Sequence, residues 1–102
     1  MFLVQVLLPL YDNDGHRFPD AQFAGVRREL TDRFGGATAY TRAPAEGTWE
    51  DADGRIRHDD VVVLEVMVEA LDRAWWSAYR SGLAARFRQE EIVARALHIE
   101  QL

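Results

Sequence analysis

Val61-Val62-Val63-Leu64-Glu65-Val66-Met67-Val68 is the stretch that most narrows what this chain can fold into. β-Branched side chains are stiff at χ1, which lowers their helix propensity and suits a pleated surface. Glu65 is the one charge within it, so the run reads as an interior strand. Just upstream, Asp53-Gly54 is the strongest short turn signal in the chain. The segment from Gly47 to Glu69 therefore reads as a hairpin feeding a long central strand, Arg55 to Glu69. A two-residue turn would set Trp49 opposite His58 and Glu50 opposite Arg57.

Phe2 to Leu10 is a second apolar stretch, with Gln5 its one polar residue, and Pro9 marks its end. It too reads as a strand buried on both faces. Tyr11 to Arg17 has loop composition, and Phe18-Pro19-Asp20 opens a helix, since proline and an acid both suit a first turn. Phe23, Val26, Leu30 and Phe34 recur at helical spacing, and Gly35-Gly36 stops the run. Ala37 to Arg42 is a short edge strand, interrupted around Pro44 and resuming over Gly47 to Glu50. From about Ala70 to Arg88 a second helix buries Trp76, Tyr79, Leu83 and Phe87, with Leu71 and Trp75 on its flank. Glu91 to Gln101 is the last strand.

The order is β-α-β-β-α-β, the ferredoxin-like pattern of an α+β domain. Right-handed crossovers place the first and third strands centrally in an antiparallel sheet, with both helices on one face. Those are also the most apolar strands, so two levels of reading agree. At 102 residues the whole chain is expected to form one domain, small enough that oligomerisation would help to stabilise it.

Composition removes several chemistries. The chain has no cysteine, which excludes disulfides, thiol nucleophiles and thiolate metal sites. All 12 basic residues are arginine, so a lysine Schiff base is excluded as well. A net charge of -5 argues against nucleic acid as a partner, which a basic surface would have to neutralise. No segment reaches the ~18 apolar residues of a membrane span, and the apolar start lacks the basic flank of a signal peptide. A cytoplasmic location without membrane association is the expectation.

Alternation assigns the sheet faces. Alanines at 94 and 96 suit a surface lying under helices, so Val93, Arg95, Leu97 and Ile99 go to the open face. Val61, Val63, Glu65 and Met67 join them, as do Leu3, Gln5 and Leu7. An uncovered face should be polar, and this one is apolar apart from Gln5, Glu65 and Arg95. A homodimer or higher homo-oligomer that stacks two such sheets would account for it. Gln5, Glu65 and Arg95 would then form a buried Glu65–Arg95 pair with Gln5 bridging or flanking it. Alternatively they line a cavity for a small apolar ligand, with Met67 in its wall and Tyr40, His58 and Trp49 as further candidates at the mouth or interface.

Other candidates are weaker. Asp12-Asn13-Asp14-Gly15 and Asp51-Ala52-Asp53-Gly54 resemble pieces of calcium loops. Counting from their glycines, the required first acid and twelfth glutamate are missing, so they read as turns. His16, His58 and His98 lack the close spacing of a zinc motif. No metal or cofactor is expected. Aromatics on this fold can stack nucleobases, but Val61 to Met67 is aliphatic where an RNA-binding strand carries its rings. Ser77 and Ser81 have no nucleophile elbow or neighbouring histidine.

Gly47-x-Trp49, the Asp53-Gly54 turn, the strand ending in Leu64-Glu65-Val66 and the junction Phe87-Arg88-Gln89-Glu90-Glu91-Ile92 together resemble a group of small uncharacterised bacterial proteins. That resemblance implies a ferredoxin-like fold and no established activity. In layout the chain is distantly similar to the dimeric α+β barrel proteins, which include cofactor-free monooxygenases and small-molecule-degrading enzymes. No catalytic motif of theirs maps onto a position here, so the analogy is one of fold. Two functions follow as expectations. One is a homo-oligomeric domain whose open face serves self-association or protein interaction. The other is a dimeric small-molecule-binding protein or cofactor-free enzyme, with Glu65 as proton acceptor between the sheets.

Overall fold

The computed structural model describes the backbone of residues 1–50 and 56–102 and the side chains of residues 1–40 and 60–102. Its elements run β1 (Phe2–Pro9), α1 (Asp20–Phe34), β2 (Thr38–Glu50), β3 (Ile56–Val68), α2 (Arg73–Arg86) and β4 (Val93–His98). The strands form one sheet in the order β2-β3-β1-β4, with every neighbouring pair antiparallel. This is the ferredoxin-like α+β arrangement, with the two apolar strands in the centre.

Alternation decides what each central strand buries. Val4, Val6 and Leu8 of β1 and Val62, Leu64, Val66 and Val68 of β3 point into the core. Their partners above are Phe23, Val26 and Leu30 of α1 and Trp76, Leu83 and Phe87 near α2. Aromatic packing closes both ends. Phe18, Phe23 and Phe87 meet at one end, while Phe34 stacks on Trp76 with ring centres 5.2 Å apart at the other. Only one face of β1 is fully buried, which departs from the two-sided burial its composition implied. The apolar residues of its second face lie on the uncovered side of the sheet.

Helix ends follow local chemistry. Asp72 caps α2, its carboxylate accepting from the Trp75 N–H at 3.1 Å, so the helix starts later than the apolar pattern suggested. Gly35 ends α1 at φ 84°, its N–H donating to the Thr31 carbonyl. At the end of α2 the left-handed position falls on Arg88, at φ 52°. Gln89 N–H donates to Ala84 O and Arg88 N–H to Ala85 O, the two bonds of a Schellman turn. That junction docks on the loop after β1, where Asn13 Nδ2 donates to Arg88 O at 3.2 Å.

Three boundaries differ from expectation. β4 is shorter than 91–101, because its partner β1 begins at Phe2, opposite His98, and the last bond in register is from Ile99 N–H to Met1 O. β2 is continuous through Pro44, but its register slips: four residues separate Tyr40 from Ala45 where only Val62 separates their partners on β3. Further on, Trp49 lies opposite Arg57 and Thr48 opposite His58, one residue away from the two-residue-turn register. Glu50 pairs with Ile56, and the Asp53-Gly54 turn expected between them lies outside the described residues. The β2 slip leaves the β1–β3 and β1–β4 ladders untouched, and those ladders set the faces of the central strands.

Candidate functional site

The open face is built by register. Glu65 of β3 pairs directly with Gln5 of β1, and Gln5 pairs with Arg95 of β4. Directly opposed antiparallel residues hold their Cβ atoms about 5 Å apart, so these side chains meet in a row across three strands. Arg95 Nε donates to Gln5 Oε1 at 2.8 Å, and Gln5 Nε2 donates to Glu65 Oε1 at 2.7 Å. Tyr40, one row over on β2, donates its hydroxyl to Glu65 Oε2 at 3.3 Å. The negative charge of Glu65 pushes the Tyr40 phenol above its ordinary range.

Chemically the row is a cation and an anion joined through an amide. The Gln5 carbonyl faces the guanidinium and its amino group faces the carboxylate, so the amide dipole lies along the field between them. Gln5 and Glu65 are half-buried and Arg95 is exposed. The expected Glu65–Arg95 pair is therefore neither buried nor in direct contact within one chain: the two strands are not neighbours, and Gln5 fills the strand between.

Apolar rows flank the polar one. Met67, Leu3 and Leu97 lie on one side and Val63, Leu7 and Val93 on the other. Met67 is 50% exposed, Tyr40 49%, Val93 48% and Leu97 46%. Of the candidate residues, Gln5, Glu65, Arg95, Tyr40 and Met67 thus share one surface. Trp49 and His58 are placed in β2 and β3, but their side chains lie outside the described ones.

Sequence reading missed a cleft on the opposite side of β4. Leu71 and Trp76 of the α2 region face Val4, Ala94 and Ala96 across a space of about 200 Å3, rimmed by Arg73, Ser77 and Arg80. The helical spacing of Arg73, Ser77 and Arg80 was its only signal. A second depression of about 260 Å3 lies beside Ala84 and Ile92, where Arg80 meets Glu91 at 3.3 Å. Both are below the ~300 Å3 at which ligand pockets usually begin.

His98 is exposed and packs its ring against Phe2 with centres 4.4 Å apart, a structural role. Asp12, Asp14 and His16 each bring one potential ligand atom within 4.8 Å of the others. One Asp12 oxygen is already committed to the backbone N–H groups of Asp14 and His16, which makes this an Asx turn. Those bonds, chiefly the one from His16, hold the Asp12 carboxyl below its ordinary range. Among the described residues no helix is long and apolar enough to cross a membrane.

No known protein family matches the chain, and no curated protein does. Solved structures do. A phage SAM lyase in complex with S-methyl-5'-thioadenosine superposes over 95% of this chain and 80% of its own, with TM-score 0.66 and 16% identity. A phage SAM lyase in its apo state covers 94% and 78%, with TM-score 0.62 and 14% identity. The likeness is one of fold. It supports the ferredoxin-like reading across nearly the whole chain.

Proposed function

We propose that this protein is a homo-oligomeric ferredoxin-like domain that associates through its open sheet face. The observation that carries the reading is that four of the six large apolar side chains exposed among the described residues, Tyr40, Met67, Val93 and Leu97, lie on that face; Tyr11 and Leu102 lie outside its strands. Large exposed apolar side chains gathered on one face mark an interaction site, and here they flank a single polar row. A domain this small also has little stability to spare, so covering the face would stabilise it. Light scattering across a dilution series tests the reading. A dimer or larger assembly is expected, and Met67→Glu should shift it toward monomer. A wild-type monomer at every concentration would overturn it.

A second reading is supported by the likeness to a lyase solved with S-methyl-5'-thioadenosine. In it the same face lines a small-molecule site, with Glu65, Gln5, Arg95 and Tyr40 as its polar groups and SAM or S-methyl-5'-thioadenosine as the first compounds to try. A ligand at ~100 times its Kd would stabilise the fold by about 2.7 kcal/mol. Thermal melting with each compound checks this: a raised midpoint that Glu65→Gln abolishes supports the site, and unchanged midpoints remove it.

A further inference from the structure

We propose that a second copy of the chain completes the polar row, with Arg95 of one chain pairing with Glu65 of the partner subunit and the reverse; this rests on the self-association reading. Three observations carry it. Among the described residues the Arg95 guanidinium makes one hydrogen bond, through Nε, which leaves both terminal amino groups with donors to spare. Within its own chain Arg95 does not contact Glu65, because Gln5 of the intervening β1 stands between them and is bonded to both. Stacking the faces would take both charges out of water, and a buried charge without a partner is costly.

The order of the row selects the symmetry. Across the sheet it runs Tyr40, Glu65, Gln5, Arg95 on β2, β3, β1 and β4. A twofold axis along the row would set Arg95 over its own copy and Glu65 over its own copy, and like charges in opposition cost several kcal/mol. An axis parallel to the strands exchanges β4 with β2 and β1 with β3. It brings Arg95 over the edge that carries Tyr40, beside Glu65 of the partner subunit, and lays Gln5 over that same glutamate. Sheets stacked about 10 Å apart leave room for side chains of this length to interdigitate. The surface is thus complementary to a copy of itself in one of the two alignments, as an isologous interface requires.

Charge reversal tests the pairing. Glu65→Arg and Arg95→Glu are made separately, checked for folding by circular dichroism, and examined by sedimentation alone and as a 1:1 mixture. Each alone places like charges across the interface and should weaken association at least about tenfold, a change of 1.4 kcal/mol. The mixture should form a heterodimer within a few-fold of wild-type affinity, because only its cross-chain contacts are complementary. The like charges within each chain persist in the mixture, so recovery reports contact between chains alone. The double reversal Glu65→Arg/Arg95→Glu should dimerise by itself, and it serves as the test if either single variant does not fold. Single variants that associate like wild type, or a mixture or double reversal that recovers nothing, overturn the pairing while leaving self-association standing. A wild-type monomer overturns self-association, and the pairing with it.

Discussion

Arg95 and Glu65 do not touch: Gln5 stands between them, accepting from the guanidinium at 2.8 Å and donating to the carboxylate at 2.7 Å. Replacing Gln5 with Leu keeps the apolar packing and removes both bonds. For the separated chain the expected cost is about 0.5–1.5 kcal/mol, because there water can reach the two stranded groups. Tyr40→Phe removes a longer, more exposed bond and should cost less than about 0.5 kcal/mol. Urea denaturation midpoints check the ranking, and Gln5→Leu as stable as wild type would show that the relay contributes nothing.

Leu64 is fully buried at the centre of β3, across the ladder from Val6. Leu64→Ala should destabilise the fold by about 2–5 kcal/mol, since packing on both sides prevents the cavity from collapsing. A loss well under 1 kcal/mol in the same urea assay would contradict the described core.

Arg88 occupies a left-handed conformation that glycine adopts without strain. Its side chain reaches Asp12 only at 3.5 Å and is largely exposed, so little is lost with it. Arg88→Gly is expected to stabilise the protein by up to about 1 kcal/mol. Calorimetry should show a raised Tm, and a lowered one would mean that the contact with Asp12 outweighs the strain.

The Tyr79 hydroxyl is buried beside the Glu29–Arg86 pair without a well-formed hydrogen bond to either, and burial, then the Glu29 charge, pushes its phenol up to about 12. Its ring stacks on Trp75 with centres 4.8 Å apart. Tyr79→Phe keeps the stack and removes the unpaired group. Stability equal to wild type or higher by up to about 1 kcal/mol is expected, and a loss above that in urea would reveal a partner for the hydroxyl.

Two carboxylates tie stability to pH. Glu29 is held below its ordinary value first by hydrogen bonding to Arg86, in a forked pair that joins α1 to α2. Asp12 is held low chiefly by the backbone N–H of His16. A depressed folded-state pKa contributes stability that is fully present above the unfolded values, 4.5 and 3.8. That contribution fades as pH falls through the folded values. Urea midpoints should therefore drop on acidification below those values, and Glu29→Gln and Asp12→Asn should each flatten the drop. An unchanged slope in both variants would assign the acid loss to other groups.

Much of the fold was legible in the sequence because it rests on local rules. The valine run, the helical spacing of Phe23, Val26, Leu30 and Phe34, and Gly35 after them each declare an element within a few residues. Ends decided by single hydrogen bonds were less legible. Asp72 trims α2, and β4 stops where its partner β1 runs out, one bond past Phe2 and His98. The register of Trp49 was misplaced because a turn signal names a turn without counting its residues.

By itself the sequence determined which residues share the open face, since a strand turns every second side chain to the same side. It also determined that this face would be apolar with Gln5, Glu65 and Arg95 inside it. Only the tertiary structure decided how those three meet. The connection rules already put β1 in the centre and left Gln5 either bridging or flanking the charges; only the register of β1 against β3 and β4 sets Gln5 opposite both Glu65 and Arg95 and makes it the bridge. The cleft beneath α2 was likewise invisible, because it exists only where a helix and an edge strand distant in sequence fail to close upon each other.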